Sequence, residues 1–255
     1  MDRKFGCLKE KEDKRDYRAK VVSAPKFPTQ FSLSMPSVKD QGVVGSCVAH
    51  SLATFLERYF AMNFSVGFIY GYRPDNYSHS SGMYPREALK TIQKIGDVQQ
   101  GVFNYNIEVP EIIKLVNERL DELKSLAKDY KIESYARIYT ENEIKSCLYS
   151  GTPVPVSIPV YNNLDLNEKH QIKSGDILQG YHMVIIYGWN EDGFMFQNSW
   201  GNSWGDSGRA IIPYDYEIDS AWAISMKNNN INTYQTFWQR VYKLILRIRS
   251  LFIKK

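Results

Sequence analysis

The pattern of apolar and polar positions changes texture near the middle of the chain. In residues 46–61 the apolar side chains Val48, Leu52, Phe55, Leu56, Tyr59 and Phe60 recur at helical spacing, and Ser46 stands where an N-cap is expected. A second helix is predicted over Pro85–Ile95, with proline in its first turn and Gly96 as its stop. A third runs from about Pro110 to Tyr130 on Ile112, Ile113, Val116, Leu120, Leu123 and Leu126, and a short fourth lies near Glu141–Tyr149. Downstream come VPVSIPVY (154–161), HMVIIYGW (182–189), GFMFQNSW (193–200) and GRAIIPY (208–214), rich in Val, Ile and aromatics and bounded by Gly, Asn and Asp. These read as strands of an antiparallel sheet or partial barrel. Helices first and strands second predict an α+β protein with segregated lobes. Outside this body, residues 1–27 read as a polar arm, 227–235 (KNNNINTYQ) as a linker and 236–255 as a final basic, apolar helix.

Length and charge narrow the classes. At 255 residues with 43% hydrophobic content, the chain can bury a large core as one domain or as two lobes around a cleft. The formal charge of +4 is concentrated in the tail: seven Lys and Arg follow Asp219 and no acid does, leaving about −3 (4 − 7) for the rest. Nucleic acid is therefore not an expected partner. The first 20 residues alternate charges without an apolar stretch, so no secretory signal is expected. Cys7, Cys47 and Cys147 are too few and scattered for a disulfide framework, which points to a reducing, cytoplasmic setting. His50, His79, His170 and His182 lie far apart, and none pairs with cysteine at metal-binding spacing; no metal or cofactor is expected.

Cys47 is the first candidate for chemistry. At a helix start, unpaired N–H groups and aligned backbone dipoles favour thiolate over thiol. A thiolate attacks carbonyls well when a proton carrier stands nearby. The alternative is an inert buried cysteine, since free cysteine is among the most buried residue types. The segment around it, QGVVGSCVAHS, resembles the active-site segment of the papain family of cysteine peptidases. YHMVIIYGW resembles that family's catalytic-histidine strand and NSWGNSWGDSG its Asn-Ser-Trp-Gly segment. His182 follows Cys47 by 135 residues (182 − 47) and Asn198 by 151 (198 − 47), close to the family's spacing.

The resemblance covers roughly residues 14–226, including KRDYRAK, which is similar to an element preceding the domain in bacterial-type members. It implies a papain-like two-lobed fold over 28–226, with a helical lobe at about 40–130, a strand-rich lobe at about 131–226 and the cleft between them. It implies peptide hydrolysis through a thioester, with Cys47 as nucleophile, His182 as acid and base, and Asn198 orienting the histidine. Gln41 would join the Cys47 backbone N–H as an oxyanion hole, and Trp200 would shield the Asn198–His182 bond. Gly82, Met83, Tyr84, Pro85, Ser157, Gly180 and Tyr181 would border the substrate, several of them at S2, the pocket for its second residue. An acyl transferase or ligase with the same thioester, and a non-catalytic peptide-binding module, are the alternatives.

Departures from the family pattern are equally specific. Val44 stands where secreted members carry a disulfide cysteine, Val48 replaces an aromatic, Met83 replaces a glycine facing substrate, and Tyr181 replaces an acid before the histidine. Residues 1–27 are short for the family's helical prodomain. His50, one turn beyond Cys47, is a weaker candidate base; His79 and His170 read as solvated, Cys147 as core, and Cys7 has no assignment. The expected partner is a peptide or protein substrate. Residues 236–255 place Arg240, Lys243, Arg247 and Lys254 on one stripe of an amphipathic helix, too charged for a comfortable span. An anionic membrane surface or a partner protein is the expected contact, against packing on the chain's own domain.

Overall fold

The computed structural model describes residues 4–11, 13, 16, 26–73, 82–104 and 109–226. The linker, the C-terminal helix and its membrane or partner contact, and His79, fall outside the described residues. Among the described residues no helix is long and apolar enough to cross a membrane.

The first long element, α1 (Cys47–Phe60), is buried from Cys47 through Glu57. Such a helix is a central strut rather than a surface helix, because neighbours cover it on every side. Ser46 precedes it but does not cap it: with φ −109° and ψ 18° its side chain makes no cap hydrogen bond. A capping side chain needs an extended backbone to swing over the first turn; the Ser46 hydroxyl instead meets His50 Nδ1 at 3.2 Å. A six-residue helix, α2 (Val66–Gly71), follows and is capped by Ser65. It is too short to show a period in the sequence. Next comes α3 (Pro85–Lys94), entered through proline as predicted.

The predicted third helix is two helices, α4 (Val109–Glu118) and α5 (Leu120–Ala127). They break at Arg119, with φ −112° and ψ 19°, whose guanidinium bonds Glu122 and the Val102 carbonyl. Leu126, counted as apolar-face, is exposed. The last helix, α6 (Glu141–Tyr149), opens with a reciprocal capping box between Thr140 and Glu143.

The strands are β1 (Phe31–Ser32), β2 (Ile132–Ile138), β3 (Val154–Tyr161), β4 (Leu178–Asn190), β5 (Gly193–Gln197), β6 (Arg209–Ile212) and β7 (Ser220–Met226). They form one sheet in the order β2-β7-β3-β4-β5-β6, with β1 added on β4. The four predicted strands are all present; β1, β2 and β7 lie outside the predicted runs. Central β4 is antiparallel to β1, β3 and β5, so three neighbours hold it. Its inner face packs Val184, Ile186 and Trp189 with Val156, Phe196 and Ile212 in a continuous core. The helices pack on this sheet chiefly through α1, where the Ser51 hydroxyl donates to the Met183 carbonyl at 3.0 Å. That bond seats the head of α1 against β4, which is where the candidate residues converge.

Candidate active site

Cys47 begins α1 and is fully buried. The loop before it, residues 41–46, is held to the far lobe by Gln41. The Gln41 N–H donates to the Ser199 carbonyl at 2.8 Å, and Ser199 Oγ donates to Gln41 Oε1 at 2.7 Å. With its oxygen taken, the amide has Nε2 left as donor, and it bonds the Val44 carbonyl of its own loop at 2.8 Å. The Met183 N–H points at Cys47 Sγ from 3.4 Å, so the residue after His182 touches the sulfur. Residues far apart in sequence thus meet because α1 packs against β4.

His182 lies on β4 paired with Ile158 of β3, and Asn198 is the first residue beyond β5. His182 Nε2 donates to Asn198 Oδ1 at 2.7 Å, and the same oxygen accepts the Ser199 N–H at 2.7 Å. Fixing that nitrogen as donor leaves Nδ1 as the nitrogen that exchanges a proton. The Trp200 indole lies 4.8 Å from the imidazole, centre to centre, and is itself buried. A low-dielectric cover of this kind strengthens the His182–Asn198 bond. The arrangement can generate a thiolate, hold an imidazole in one orientation and offer amide donors to an oxygen.

The cleft is filled by the chain's own amino-terminal arm. The Lys4 carbonyl accepts from Gln41 Nε2 at 3.1 Å. Phe5 stands edge-on to His182, with ring centres 6.4 Å apart, and tilts against Trp200. Gly6 crosses the loop before Cys47 so closely that a Cβ there would sit 1.8 Å from the Gly45 carbonyl oxygen. The Met83 N–H donates to the Gly6 carbonyl at 2.8 Å, and the Leu8 N–H donates to the Met83 carbonyl at 2.9 Å. The Cys7 N–H reaches the Tyr181 carbonyl at 3.2 Å, while its thiol donates to Ser157 Oγ at 3.2 Å.

The residues expected to border substrate therefore meet the arm at Gly82, Met83, Ser157, Gly180 and Tyr181. A Cβ on Gly82 would lie 2.9 Å from the Gly6 carbonyl oxygen, and one on Gly180 would touch Phe5. Met83 contributes backbone only to these bonds, which is why a side chain is tolerated where the family pattern has glycine. Tyr84 and Pro85 form the N-cap and first residue of α3. Sequence reading missed Cys7, Gly6 and Lys4: a short irregular arm has no periodicity, and its partners are remote in sequence. His50 is buried and neutral: burial pulls its pKa down to about 4, and Ser46 holds its Nδ1. His170 lies in a turn at φ 56°, and Cys147 is only partly buried.

Burial of the sulfur sets its electrostatics. Burial pushes the Cys47 thiol from about 9 to about 11, against the N–H groups of Met183, Gly6 and Val48, which stabilise the thiolate. A group whose pKa is raised in the covered state favours that state below its ordinary pKa and opposes it as pH climbs through the raised value. The covered state is therefore expected to hold through neutral pH and to weaken as pH climbs toward 11. Iodoacetamide labelling of Cys47, followed from pH 6 to 11, should be slow at neutral pH and climb steeply above pH 9.

Comparison with known proteins places this geometry. The sequence pattern of the papain family cysteine proteases matches residues 28–224. A peptidase C1-like protein of Acanthamoeba polyphaga mimivirus is 28% identical over 270 residues, covering 86% of this chain and 84% of its own. Xylellain, a cysteine protease from Xylella fastidiosa, superposes with a TM-score of 0.73 at 25% identity, over 89% of this chain and 97% of xylellain. The fold is shared with procathepsin B S9 of Trypanosoma congolense, at a TM-score of 0.72 and 16% identity over 88% of this chain and 87% of that one. With a papain-like two-lobed α+β fold and the family pattern over most of its length, the chain belongs to the papain family of cysteine proteases.

Proposed function

We propose that this protein is a cysteine-type endopeptidase held latent by its own amino-terminal arm. The observation that carries the reading is the His182–Asn198 hydrogen bond on a strand whose next residue, Met183, meets the Cys47 sulfur, with Gln41 tied to Ser199 beside Asn198. In this reading Cys47 Sγ attacks the scissile carbonyl, and the oxygen that becomes negative is held by Gln41 Nε2 and the Cys47 N–H. His182 takes the Cys47 proton and passes it to the departing amine, then draws one from the water that resolves the thioester as the Cys47 thiolate leaves. Asn198 keeps the imidazole turned toward Cys47, and Trp200 keeps water from their hydrogen bond.

The position of the arm supports latency. The Lys4 carbonyl engages the Gln41 donor, and Gly6 covers the sulfur. The leaving amine must lie on the His182 side, so substrate residues before the scissile bond run from α3 past Met83 to Cys47. The arm runs the opposite way, from Gln41 past Cys47 to Met83 and α3. A reversed backbone fills the cleft without offering a carbonyl in the attackable orientation.

Transfer to an amine instead of water would use the same thioester. Mass spectrometry of products formed with and without 50 mM hydroxylamine or glycine amide, on the order of a typical acceptor excess, separates the two. Free carboxyl termini as the dominant product in both samples are expected. Amine-capped termini dominating whenever amine is present would favour the transferase reading.

A further inference from the structure

Beyond the cleft, the arm makes a second set of contacts. Glu10 is buried, with its side chain 2% exposed, and its carboxylate accepts the Arg86 backbone N–H in the first turn of α3. The Arg86 guanidinium lies 3.7 Å from the other Glu10 oxygen. It also grips Asp16 with two parallel bonds, Nε to Oδ1 at 2.9 Å and Nη2 to Oδ2 at 2.7 Å. Arg137, on β2, is buried; its Nη2 donates to the Asp219 carbonyl, while Nε and Nη1 have no hydrogen-bond partner. Its charge is felt at Glu10. Arg86 and Arg137 both stand over the Trp222 ring, at 5.6 and 5.7 Å. An adjoining groove of about 360 Å³ includes Arg86, Lys90 and Trp222 in its lining, with the acids Asp13, Asp16 and Glu87.

A helix N-terminus, a fork-shaped guanidinium and a second buried guanidinium with spare donors make up a carboxylate-binding surface. With Glu10 and Asp16 in place, Arg137 Nε and Nη1 still lack a partner, so charged donors remain beside Glu10 for a further carboxylate. In the covered chain, the arm supplies two such carboxylates. We propose that the first turn of α3, with Arg86 and Arg137, is an exosite that selects substrates carrying acidic side chains four or five residues before the cleaved bond. Glu10 and Asp16 of the arm fill this exosite in the latent chain. The inference rests on the peptidase reading for the direction of the substrate. The spacing comes from the arm, in which Glu10 lies four residues beyond Gly6, the residue over Cys47 (10 − 6). Burial pushes Glu10 to about 7, with the Arg86 N–H and the two guanidinium charges pulling back, so a carboxylate is tested above neutral pH.

The test uses the full chain carrying Gly6→Leu, which lifts the arm, and Cys47→Ala, which stops turnover. Two fluorescein-labelled peptides differ only in having Glu or Gln at the fourth and fifth positions before the intended cleavage point. By fluorescence anisotropy at pH 8 the Glu peptide is expected to bind about tenfold tighter, the scale of a charge-assisted hydrogen bond. Arg86→Ala should erase the preference and Arg137→Gln should narrow it. Equal affinities for the two peptides, a preference that survives Arg86→Ala, or no binding of the Glu peptide overturns the proposal. Should Arg86→Ala fail to fold, the two-peptide comparison on the parent chain decides alone. Hydrolysis plays no part in this readout, so a failed peptidase reading would appear separately, as absent cleavage products with discrimination intact.

Discussion

Replacing Cys47 by alanine is expected to abolish peptide hydrolysis, lowering kcat by a factor on the order of 10⁶. The size follows from what the sulfur alone supplies. Without it no thioester forms, and neither the oxyanion donors nor the imidazole has a bond to act upon. A Cys47→Ala/His182→Ala pair should be no worse than Cys47→Ala alone, because residues acting as one unit lose their function together. Gln41→Ala should cost less, roughly 10²- to 10³-fold, since it removes one oxyanion donor and leaves the backbone N–H. Initial rates on a fluorogenic peptide, with a thiol-directed peptidyl epoxide as active-site label, measure all three. Labelling of Cys47→Ala at the wild-type rate would remove Cys47 from the mechanism.

Gly6→Leu is expected to raise activity on small peptides by about ten- to a hundredfold. Every 1.4 kcal/mol of lost arm docking raises the open, binding-competent fraction about tenfold. The argument is steric. A Cβ at position 6 meets the Gly45 carbonyl oxygen at 1.8 Å and its carbon at 2.1 Å. These are backbone atoms of the loop that leads into Cys47, so no rotamer change relieves the overlap and the arm must lift. Gly101→Ala is the matched control, because a Cβ there has nothing within 4 Å. Steady-state rates, together with the pH profile of iodoacetamide labelling, report the release. In Gly6→Leu that profile should move to lower pH, since exposing the sulfur removes the burial that held it as thiol. Unchanged rates and an unchanged profile would mean that the arm does not restrain the enzyme.

Much of the candidate catalytic set was legible because each member sits in a segment whose own chemistry announces it. Cys47 stands where an apolar helical period begins after a glycine-containing loop. His182 falls within a β-branched strand, and Asn198 opens a turn of Asn, Gly and Trp. Helix α3 was legible from its proline, and β3 and β4 from runs of Val and Ile. These are local signals, written in residues within one or two turns of each other. By contrast, β2 and β7 carry no clean alternation. β2 follows the burial order buried, two exposed, two intermediate, two buried, with α3 packed on it and Ile138 in the core of the sheet. The single long helix expected over 110–130 failed at Arg119, whose side chain is drawn to the Val102 carbonyl and Glu122. No period in the sequence records that pull.

The sequence by itself determined the fold class, the helix that presents Cys47 and the identities of the groups that could react with it. Apolar spacing and helix-start chemistry are properties of neighbouring residues, so they survive without a structure. Only the tertiary structure decided that β4 brings Met183 against the sulfur and that Gln41 is tied to Ser199. It alone decided that Lys4 to Glu10 cover what the other residues build. Those contacts join positions 37 to 150 residues apart, through hydrogen bonds such as Gln41 to Lys4 and Cys7 to Ser157. A hydrogen bond across such a separation depends on loop closure and packing of the whole core, and it leaves no pattern in the residues on either side.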